Sequence, residues 1–368
     1  MTSLRICFLN HDMNPAIGAG RFGVNLVSRL RQDLPSLEVR VMTSVASGYP
    51  GELPLLGRDR LRLLAALPAI RRAFKSADII HALDGYPYGL IAALASLGLR
   101  KKLVITAIGT GAVRPLYGQM GWLLAWAYRR ADRVAAISRN TQREILEKVP
   151  DCAMTVINHA VDADDFRLHG GDELTPEERG AIHALKPYIF SVGAWKKRKG
   201  FEYSFPAFAE VQKNFPRLHY VICGIGPKPE LEASHGLRGR VNYFKGVRWP
   251  FLRSLYQNAE LFMLLPVDDQ KDIEGFGFAF LEAAAAGLPV IGTTASGAED
   301  AVAEGENGYL VPPRDSAAAA EAAAAILSSP ELRKKFSDGS LAFAKRMNWE
   351  QVVEAYTTIY QELFDAGK

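Results

Sequence analysis

Short apolar, β-rich runs alternate with longer segments of helical periodicity along the whole chain. In the first half these runs occupy residues 4–10, 38–44, 77–83, 102–108 and 133–138. In the second half they occupy residues 188–193, 219–224, 241–246, 261–266, 289–293 and 308–312. Strands of a parallel sheet are buried on both faces and read as continuous apolar runs. The alternation therefore predicts an α/β fold with two doubly wound, Rossmann-like domains.

A polar, acidic segment without a strand pattern, residues 167–187, separates the two series of strands. It contains Thr175 followed by Pro176 and Glu178, a pattern typical of a helix N-terminus. We predict an N-terminal domain at residues 1–180 and a C-terminal domain at residues 181–347, facing each other across a cleft. Apolar residues at helical spacing near the end predict a helix at residues 348–368 that crosses back to the N-terminal domain.

The composition is that of an ordinary globular enzyme. The 368 residues exceed what one hydrophobic core usually serves, and 48% of them are apolar. Three cysteines, Cys7, Cys152 and Cys223, are too few for a disulfide framework, which favours buried thiols in a reducing compartment. The start of the chain has too short an apolar run for a signal peptide, and no run reaches the ~20 residues of a spanning helix. These features predict a cytoplasmic protein.

Positive charge is concentrated in the first half of the chain. Residues 1–150 hold 21 lysines and arginines against 10 acidic residues, although the net charge of the protein is only +4. This excess suits an anionic phospholipid surface, a phosphorylated acceptor or nucleic acid, and it also suits a merely solvated surface. Residues 114–130 interleave Trp122, Trp126 and Tyr128 with arginines. Because a parallel sheet needs helices on both faces, this pattern favours a core helix over an interfacial membrane helix.

One stretch of the second half, EGFGFAFLEAAAAGLPVIGT (residues 274–293), carries the strongest chemical signal. It follows a predicted strand and leads through Gly275 and Gly277 into a helix, a junction at which α/β proteins bind phosphorylated ligands. The two carboxylates of a glycoside hydrolase lie ~5 to 10 Å apart. Eight residues of mostly helical chain rise ~12 Å. Glu274 and Glu282 are therefore better suited to two different hydroxyl pairs of one long ligand, such as a sugar nucleotide.

With these residues the second half resembles the C-terminal domain of retaining glycosyltransferases of family 4 type, the glycosyl transferases group 1, which have the GT-B fold. The resemblance extends over residues 188–360. Its motifs are SVGAWKKRKG (191–200), ICGIGP (222–227), the Glu-x7-Glu stretch already quoted, ENGYLVPPRD (306–315) and NWEQVVEAY (348–356). The glycine-rich segment NPAIGAGRFG (14–23) is similar, more loosely, to the family's loop under the donor phosphates and beside the acceptor.

The resemblance implies roles for individual residues. Glu274 would hold hydroxyls of the transferred sugar and Lys199 would neutralise the departing diphosphate, which makes these two the predicted catalytic residues. Glu282 would accept the ribose hydroxyls, and backbone N–H groups in the Gly-Phe-Gly turn would meet sugar or phosphate. The predicted donor-binding residues are Gly18, Gly20, Arg198, Gly275, Phe276, Gly277 and Glu282.

The resemblance also implies the reaction and its partners. We expect a retaining transfer of sugar from a UDP- or GDP-sugar to a hydroxyl of a glycan or lipid-linked acceptor, in cell-envelope glycan or glycolipid synthesis. We identify no Asp-x-Asp motif as a magnesium site, so we expect no metal, and we expect no cofactor beyond the substrate. Nucleic acid is not an expected partner. A peripheral contact with anionic membrane, on the inner face, is an additional expectation from the basic first half.

Three positions depart from the family pattern. Ala194 stands where many relatives have an arginine on the diphosphate, and Lys196, Lys197 or Arg198 are the nearby cations that would replace it. Ile108 stands where many relatives carry a histidine near the reacting sugar. In NHAVD (158–162), His159 and Ala160 replace the usual Asn-Gly.

Other functions fit parts of the pattern. A nucleotide-sugar epimerase of similar two-domain architecture is the main alternative, and it would need carboxylates or histidines poised for proton abstraction. A sugar-nucleotide sensor or a dehydrogenase is a further alternative, although CGIGP lacks the third glycine of a nicotinamide site. His11 and His81, at strand ends, are expected to be structural histidines rather than acids or bases.

Overall fold

The computed structural model describes residues 4–15, 18–167, 173–226 and 234–366, with the side chains of Ala19 and Arg167 left out. Contacts divide the chain into two compact units. The first comprises Met1–His159 together with Trp349–Lys368, and the second comprises Ala160–Asn348. Each unit is an α/β layer structure and is described separately.

The N-terminal unit is built on a seven-stranded sheet in the order β3-β2-β1-β4-β5-β6-β7, with every neighbouring pair parallel. Its strands are β1 Arg5–Asn10, β2 Glu38–Thr43, β3 Glu52–Leu53, β4 Ile79–Ala82, β5 Lys102–Ala107, β6 Arg133–Ala136 and β7 Met154–Val156. Its helices are α1 Gly18–Asp33, α2 Arg60–Ala65, α3 Leu67–Phe74, α4 Leu90–Ala95, α5 Gly109–Val113, α6 Gly121–Arg130 and α7 Arg139–Lys148, joined at the end of the chain by α15 Trp349–Asp365.

The C-terminal unit repeats the plan with six parallel strands in the order β10-β9-β8-β11-β12-β13. These strands are β8 Tyr188–Val192, β9 His219–Cys223, β10 Val241–Phe244, β11 Leu261–Met263, β12 Val290–Thr293 and β13 Gly308–Val311. Its helices are α8 Ala163–Arg167, α9 Pro176–Leu185, α10 Phe201–Asn214, α11 Trp249–Gln257, α12 Phe278–Ala285, α13 Ser316–Ser328 and α14 Pro330–Arg346.

All eleven strands predicted from the apolar runs are confirmed, and two further strands escaped prediction. β3 has two residues and β7 has three, none of which is fully buried. Both lie at the edges of their sheet, where one side of a strand remains unpaired and a short segment suffices. An apolar run is a signal of burial on both faces, so such edge strands leave little trace in the sequence.

The segment 160–180 lies in the second unit, whereas the sequence-based division placed it in the first. Helices α8 and α9 pack on α12 and α11 of the C-terminal unit. Arg253, buried on α11, forms ion pairs with Asp165 at 3.4 Å and Glu173 at 2.7 Å. These charges attach the polar segment to helix α11 of the C-terminal unit. The predicted N-cap is confirmed, because Thr175 and the third residue of α9, Glu178, form a reciprocal capping box.

The terminal helix α15 belongs to the N-terminal unit, as predicted, and packs on α1. Two of its tyrosines reach the polar interior of the sheet. The Tyr360 hydroxyl lies 2.7 Å from Nδ1 of His81, and the Tyr356 hydroxyl lies 2.8 Å from the Thr106 hydroxyl. Thr106 also meets Nε2 of His81 at 2.8 Å. His81 is fully buried, so its predicted structural role fits these contacts.

The arginine-flanked aromatic segment forms a short 3₁₀ turn, Arg114–Tyr117, followed by α6. The prediction of a core helix is confirmed for Leu124 and Tyr128, which are buried, while Trp122 is 67% exposed. Over the described residues, no helix combines the length and apolar character needed to cross a membrane.

The neutral state of His81 predicts an acid-sensitive N-terminal unit. Burial lowers the pKa of His81 from 6.5 to about 3, so the unfolded chain takes up a proton at a pH where the folded chain does not. The stabilising contribution is therefore complete above pH ~6.5 and decreases by up to ~1.4 kcal/mol for each pH unit below it. We expect the free energy of unfolding of the wild type to decrease more steeply between pH ~6 and ~4 than that of His81→Gln, in denaturant titrations. If the free energy of unfolding depends on pH with the same slope in both proteins, the account of His81 is wrong.

Candidate functional site

The predicted site residues of the C-terminal unit lie at the carboxyl ends of its central strands. The segment 193–200 follows β8, the segment 264–277 follows β11, and the turn 294–297 follows β12. Neighbouring strands β8, β11 and β12 are parallel, so these segments emerge at the same edge of the sheet. In open α/β sheets this edge is where ligands bind.

Glu274 is the centre of a buried charge cluster at this edge. Nζ of Lys199 and a terminal nitrogen of Arg198 both lie 2.6 Å from its Oε2 atom. Nε of Arg198 lies 3.0 Å from a carboxylate oxygen of Asp272. Only 8% of Glu274 and 7% of Lys199 is exposed. The structure records no hydrogen-bond donor to the second carboxylate oxygen, Oε1, among the described residues.

The environment acts on both members of the pair Glu274–Lys199. Burial lowers the pKa of Lys199, and the negative charge of Glu274 offsets part of this effect. Burial raises the pKa of Glu274, but Lys199 and Arg198 lower it more, so the pKa lies below the usual carboxyl value. We therefore treat Glu274 as ionised, with Lys199 as its charge partner.

Two glycines let the chain after β8 bring Lys199 into this position. A Cβ atom on Gly193 would lie 2.9 Å from Cε and 3.2 Å from Nζ of Lys199. Gly200 has φ +67° and is the N-cap of α10, and a Cβ atom there would lie 1.7 Å from the carbonyl oxygen of Leu265. A side chain at either position would push Lys199 or the β11 segment away, so both glycines are required for close approach.

The Gly-Phe-Gly turn is held by a second turn from β12. The N–H of Gly297 donates to the carbonyl oxygen of Glu274 at 3.1 Å. Phe276 is buried, and Gly277 adopts a left-handed conformation with φ +85° where α12 begins. The main chain of Glu274 and Gly275 is therefore fixed on both sides before any ligand arrives.

Glu282 lies on α12 and is also buried, with 3% of its surface exposed. The Tyr256 hydroxyl, from α11, donates to Oε2 of Glu282 at 2.8 Å. The ring of Tyr256 stacks on Phe262 of β11 and meets the edge of Phe190 of β8. This aromatic support fixes the orientation of the carboxylate relative to the strands.

The cations nearest to Ala194 differ in their surroundings. Lys196 and Lys197 are exposed, whereas the guanidinium of Arg198 lies between Asp272 and Glu274. Two carboxylates thus neutralise Arg198, which leaves the two lysines as the uncommitted charges of this turn. Pro227 of the neighbouring ICGIGP motif lies outside the described residues.

The predicted glycines of the N-terminal unit, Gly18 and Gly20, form the first turn of α1. Gly18 faces open space. A Cβ atom on Gly20 would lie 2.3 Å from a carboxylate oxygen of Asp12 and 2.4 Å from the carbonyl oxygen of Asn14. Gly20 therefore lets the loop after β1 pack against the beginning of α1.

Sequence reasoning missed several residues at this edge. Asp272 forms an ion pair with Arg198, the Tyr256 hydroxyl donates to Glu282, and the N–H of Gly297 donates to the carbonyl oxygen of Glu274. None of these three residues is part of a recognisable motif. Trp195 was likewise not singled out. Its indole N–H is buried and has no hydrogen-bond partner among the described residues, and a Cβ atom on Gly224 would lie 1.9 Å from it. Only the contact partners in space, and not spacing along the chain, identify these residues.

Histidine, cysteine, aspartate and glutamate side chains are the usual protein ligands of metal ions. Within the described ranges, no group of three or more histidine, cysteine, aspartate or glutamate side chains is placed to hold a metal ion.

Comparison with known proteins identifies a family for each half of the chain. Residues 177–341 match the family of glycosyl transferases group 1, and residues 18–165 match glycosyltransferase family 4. The chain is 30% identical to a D-inositol 3-phosphate glycosyltransferase from Corynebacterium urealyticum, over 89% of this chain and 87% of the relative. It is 26% identical to an alpha-D-kanosaminyltransferase from Streptomyces kanamyceticus, over 66% of this chain and 63% of that relative's length.

The fold has counterparts among solved structures. HepE from Anabaena, in complex with UDP-glucose, matches with a TM-score of 0.77 and 17% identity, over 98% of this chain and 100% of HepE. At this identity the likeness concerns the fold alone. It confirms the predicted class of two Rossmann-like α/β domains.

The contact between Gly297 and the Gly-Phe-Gly turn predicts a specific sensitivity. A Cβ atom on Gly297 would lie 2.5 Å from the carbonyl carbon of Gly275 and 2.6 Å from the carbonyl oxygen of Glu274. We expect Gly297→Ala to destabilise the C-terminal unit by about 1 to 3 kcal/mol, because the main chain at Glu274 must move. The matched control is Gly180→Ala in α9, where no atom lies within 4 Å. Thermal unfolding should show the control unchanged or slightly stabilised, and equal melting temperatures for both variants would refute the contact's importance.

Proposed function

This chain belongs to the glycosyl transferases group 1, and on that premise we propose that it transfers a sugar from a nucleotide-diphosphate sugar to an acceptor hydroxyl with retention of anomeric configuration. The observation that carries the proposal is the charge cluster at the C-terminal sheet edge. It places a carboxylate with an unused oxygen beside a buried ammonium group, at the beginning of a helix. Sugar hydroxyls and a diphosphate, adjacent in one donor, require these two kinds of group.

In the proposed complex, Glu274 accepts hydrogen bonds from sugar hydroxyls through Oε1, the oxygen that Lys199 and Arg198 leave unused. Lys199 faces the diphosphate, which becomes more negative as its bond to the sugar breaks. A fixed cation in a site with little water stabilises such a charge without reorganisation. N–H groups in the first turn of α12 add partial positive charge at the same place.

Glu282 takes the ribose hydroxyls in this proposal. Its partner Tyr256 acts through the carboxylate, since the hydroxyl contacts Oε2 at 2.8 Å. The buried indole N–H of Trp195 is a donor that an oxygen of the nucleotide would satisfy. The two ends of the donor would thus be bound by Glu274, just before α12, and by Glu282 within α12.

The transfer itself makes modest demands on side chains. The bond from the anomeric carbon to the phosphate oxygen breaks, and a bond to the acceptor oxygen forms on the same face. The acceptor's proton passes to an oxygen of the leaving phosphate. The protein then supplies position and charge stabilisation, and no side-chain base is required.

Relatives suggest which substrates to examine first. The HepE structure contains UDP-glucose, which supports a UDP-sugar as donor. The name of the Corynebacterium relative supports a polyol phosphate such as inositol 3-phosphate as acceptor. A lipid-linked acceptor, at the inner face of the cell membrane and in envelope glycan synthesis, remains our proposal from the basic N-terminal half.

The test of the function is acceptor-dependent release of nucleoside diphosphate. The full chain is incubated with UDP-glucose, UDP-N-acetylglucosamine or GDP-mannose, each with and without 1D-myo-inositol 3-phosphate or phosphatidylinositol vesicles. We expect release of UDP or GDP that depends on one acceptor, and an α-linked product by NMR. Donor conversion without acceptor would favour an epimerase, and binding without turnover would favour a sensor. Either outcome would overturn the proposal.

Lys199 should contribute to turnover more than to donor binding. We expect Lys199→Ala to lower kcat by about 10²- to 10³-fold and to weaken donor binding less, because the charge it stabilises develops in the transition state. Lys213→Ala is the matched control, since Lys213 is an exposed lysine on α10 paired with Glu210. Calorimetry gives donor Kd and initial rates give kcat, with circular dichroism as the folding check. Wild-type turnover of Lys199→Ala would remove the assignment.

A further inference from the structure

Three polar side chains form a chain of hydrogen bonds at the carboxyl edge of the N-terminal sheet. His11 follows β1, Ser44 follows β2, and Tyr88 lies in the turn Gly85–Gly89 after β4. Nδ1 of His11 lies 3.0 Å from the Tyr88 hydroxyl, which lies 2.8 Å from the Ser44 hydroxyl. Strands β2, β1 and β4 are adjacent and parallel, so the three residues meet at one edge. The donor chemistry described above uses none of them.

The distances pair these atoms without fixing which hydroxyl donates, and we assign the direction from the last partner. The Ser44 hydroxyl donates to the carbonyl oxygen of Gly57 at 3.4 Å, so its oxygen is left to accept from Tyr88. Burial raises the pKa of Tyr88, which keeps the phenol protonated as a donor. With its proton directed to Ser44, the Tyr88 oxygen accepts from Nδ1–H of His11. The neutral imidazole is then the Nδ1–H tautomer, and Nε2 carries a lone pair.

Exposure distinguishes His11 from a core histidine. Tyr88 and Ser44 are buried, at 5% and 6% exposure, but 56% of the His11 side chain is exposed. His81 on the adjacent strand has partners on both ring nitrogens and no exposed surface. The buried hydrogen bonds therefore hold His11 through Nδ1, and Nε2 lies in the exposed part of the ring, with Asp12 3.9 Å away as its recorded neighbour among the described residues.

We propose that Nε2 of His11 accepts a hydrogen bond from a hydroxyl group of the acceptor, and that Tyr88 and Ser44 are positioning residues for it. The proposal rests on the transferase function and identifies an acceptor-binding residue. The sequence offers no histidine at Ile108, after β5, so His11 provides an imidazole at a different strand of the same sheet edge.

The neighbouring carboxylate restricts what this site accepts. An oxygen of Asp12 lies 3.9 Å from Nε2, and Asp12 is itself buried and accepts the N–H of Asn14. A fixed negative charge at this distance repels a phosphate or carboxylate group of the acceptor. The acceptor therefore presents a neutral hydroxyl to His11, and any phosphate it carries lies elsewhere.

The first test determines which ring nitrogen of His11 carries the proton, and it does not depend on catalysis. In ¹⁵N-labelled full-length protein, at a pH where the imidazole is neutral, the ring-nitrogen shifts of His11 are assigned by their loss in His11→Asn. We expect a protonated Nδ1 in the wild type and a shift toward the other tautomer in Tyr88→Phe. The matched control is Tyr49→Phe, which removes a tyrosine hydroxyl 3.0 Å from Ser28 in the same unit. If Nε2 is the protonated nitrogen in the wild type, Tyr88 and Ser44 do not position His11 as proposed, and the proposal is overturned.

The second test measures the KM for the acceptor in variants of these residues. With UDP-glucose, UDP-N-acetylglucosamine or GDP-mannose as donor and 1D-myo-inositol 3-phosphate or phosphatidylinositol vesicles as acceptor, we expect His11→Asn and Tyr88→Phe to raise the acceptor KM about tenfold or more. Donor Kd and the melting temperature of His11→Asn should remain close to wild type. Tyr49→Phe should leave the acceptor KM and kcat unchanged. An unaltered acceptor KM in His11→Asn would refute the proposal. If the wild type itself shows no transfer to either acceptor, the transferase function fails instead, and acceptor binding by His11 fails with it.

Discussion

Glu274 retains a negative charge inside the C-terminal unit because two cations lie 2.6 Å from one of its oxygens. An ionised carboxylate without a partner at this depth would be unfavourable by several kcal/mol, and so would the ammonium group of Lys199. Each charge is therefore stable only in the presence of the other. The backbone turns around the pair serve this requirement, since Gly193 leaves room for the lysine and Gly297 fixes the main chain of the glutamate.

The same constraint explains why the site is rigid before a donor binds. The two charges come from segments more than 70 residues apart, and only the parallel arrangement of β8 and β11 brings them to one edge. A site assembled in this way loses little conformational freedom when it binds, because its ion pairs and turns already hold the side chains. Oε1 of Glu274 is the exception, and for that reason it is the atom to which we assign the sugar.

Most of the fold could be predicted from the sequence because it depends on burial. Strands covered on both faces must be apolar throughout, and the helices between them must be amphipathic, so the order of elements and the fold class are visible in one sequence. Weakly buried parts gave less signal. The edge strands β3 and β7 were missed, and the segment 160–180 was assigned by its polarity to the wrong side of a boundary. Its attachment depends on Arg253, whose partners Asp165 and Glu173 are far from it along the chain.

The functional residues at the two sheet edges differ in how far the sequence alone predicts them. In the C-terminal unit, Glu274, Gly277 and Glu282 lie on one continuous strand–loop–helix segment, so their spacing along the chain reflects their geometry. Tyr256, on α11, has no fixed spacing to that segment and was not predicted. Asp272 lies two residues before Glu274 but outside the motif, and its contact with Arg198 was not predicted either. At the N-terminal edge the three hydrogen-bonded residues Ser44, Tyr88 and His11 each follow a different strand. Spacing carries no information about such an arrangement, and His11 was accordingly read as structural. Its hydrogen-bond partners and its exposure distinguish it from His81, and both become visible only when the strands are placed side by side.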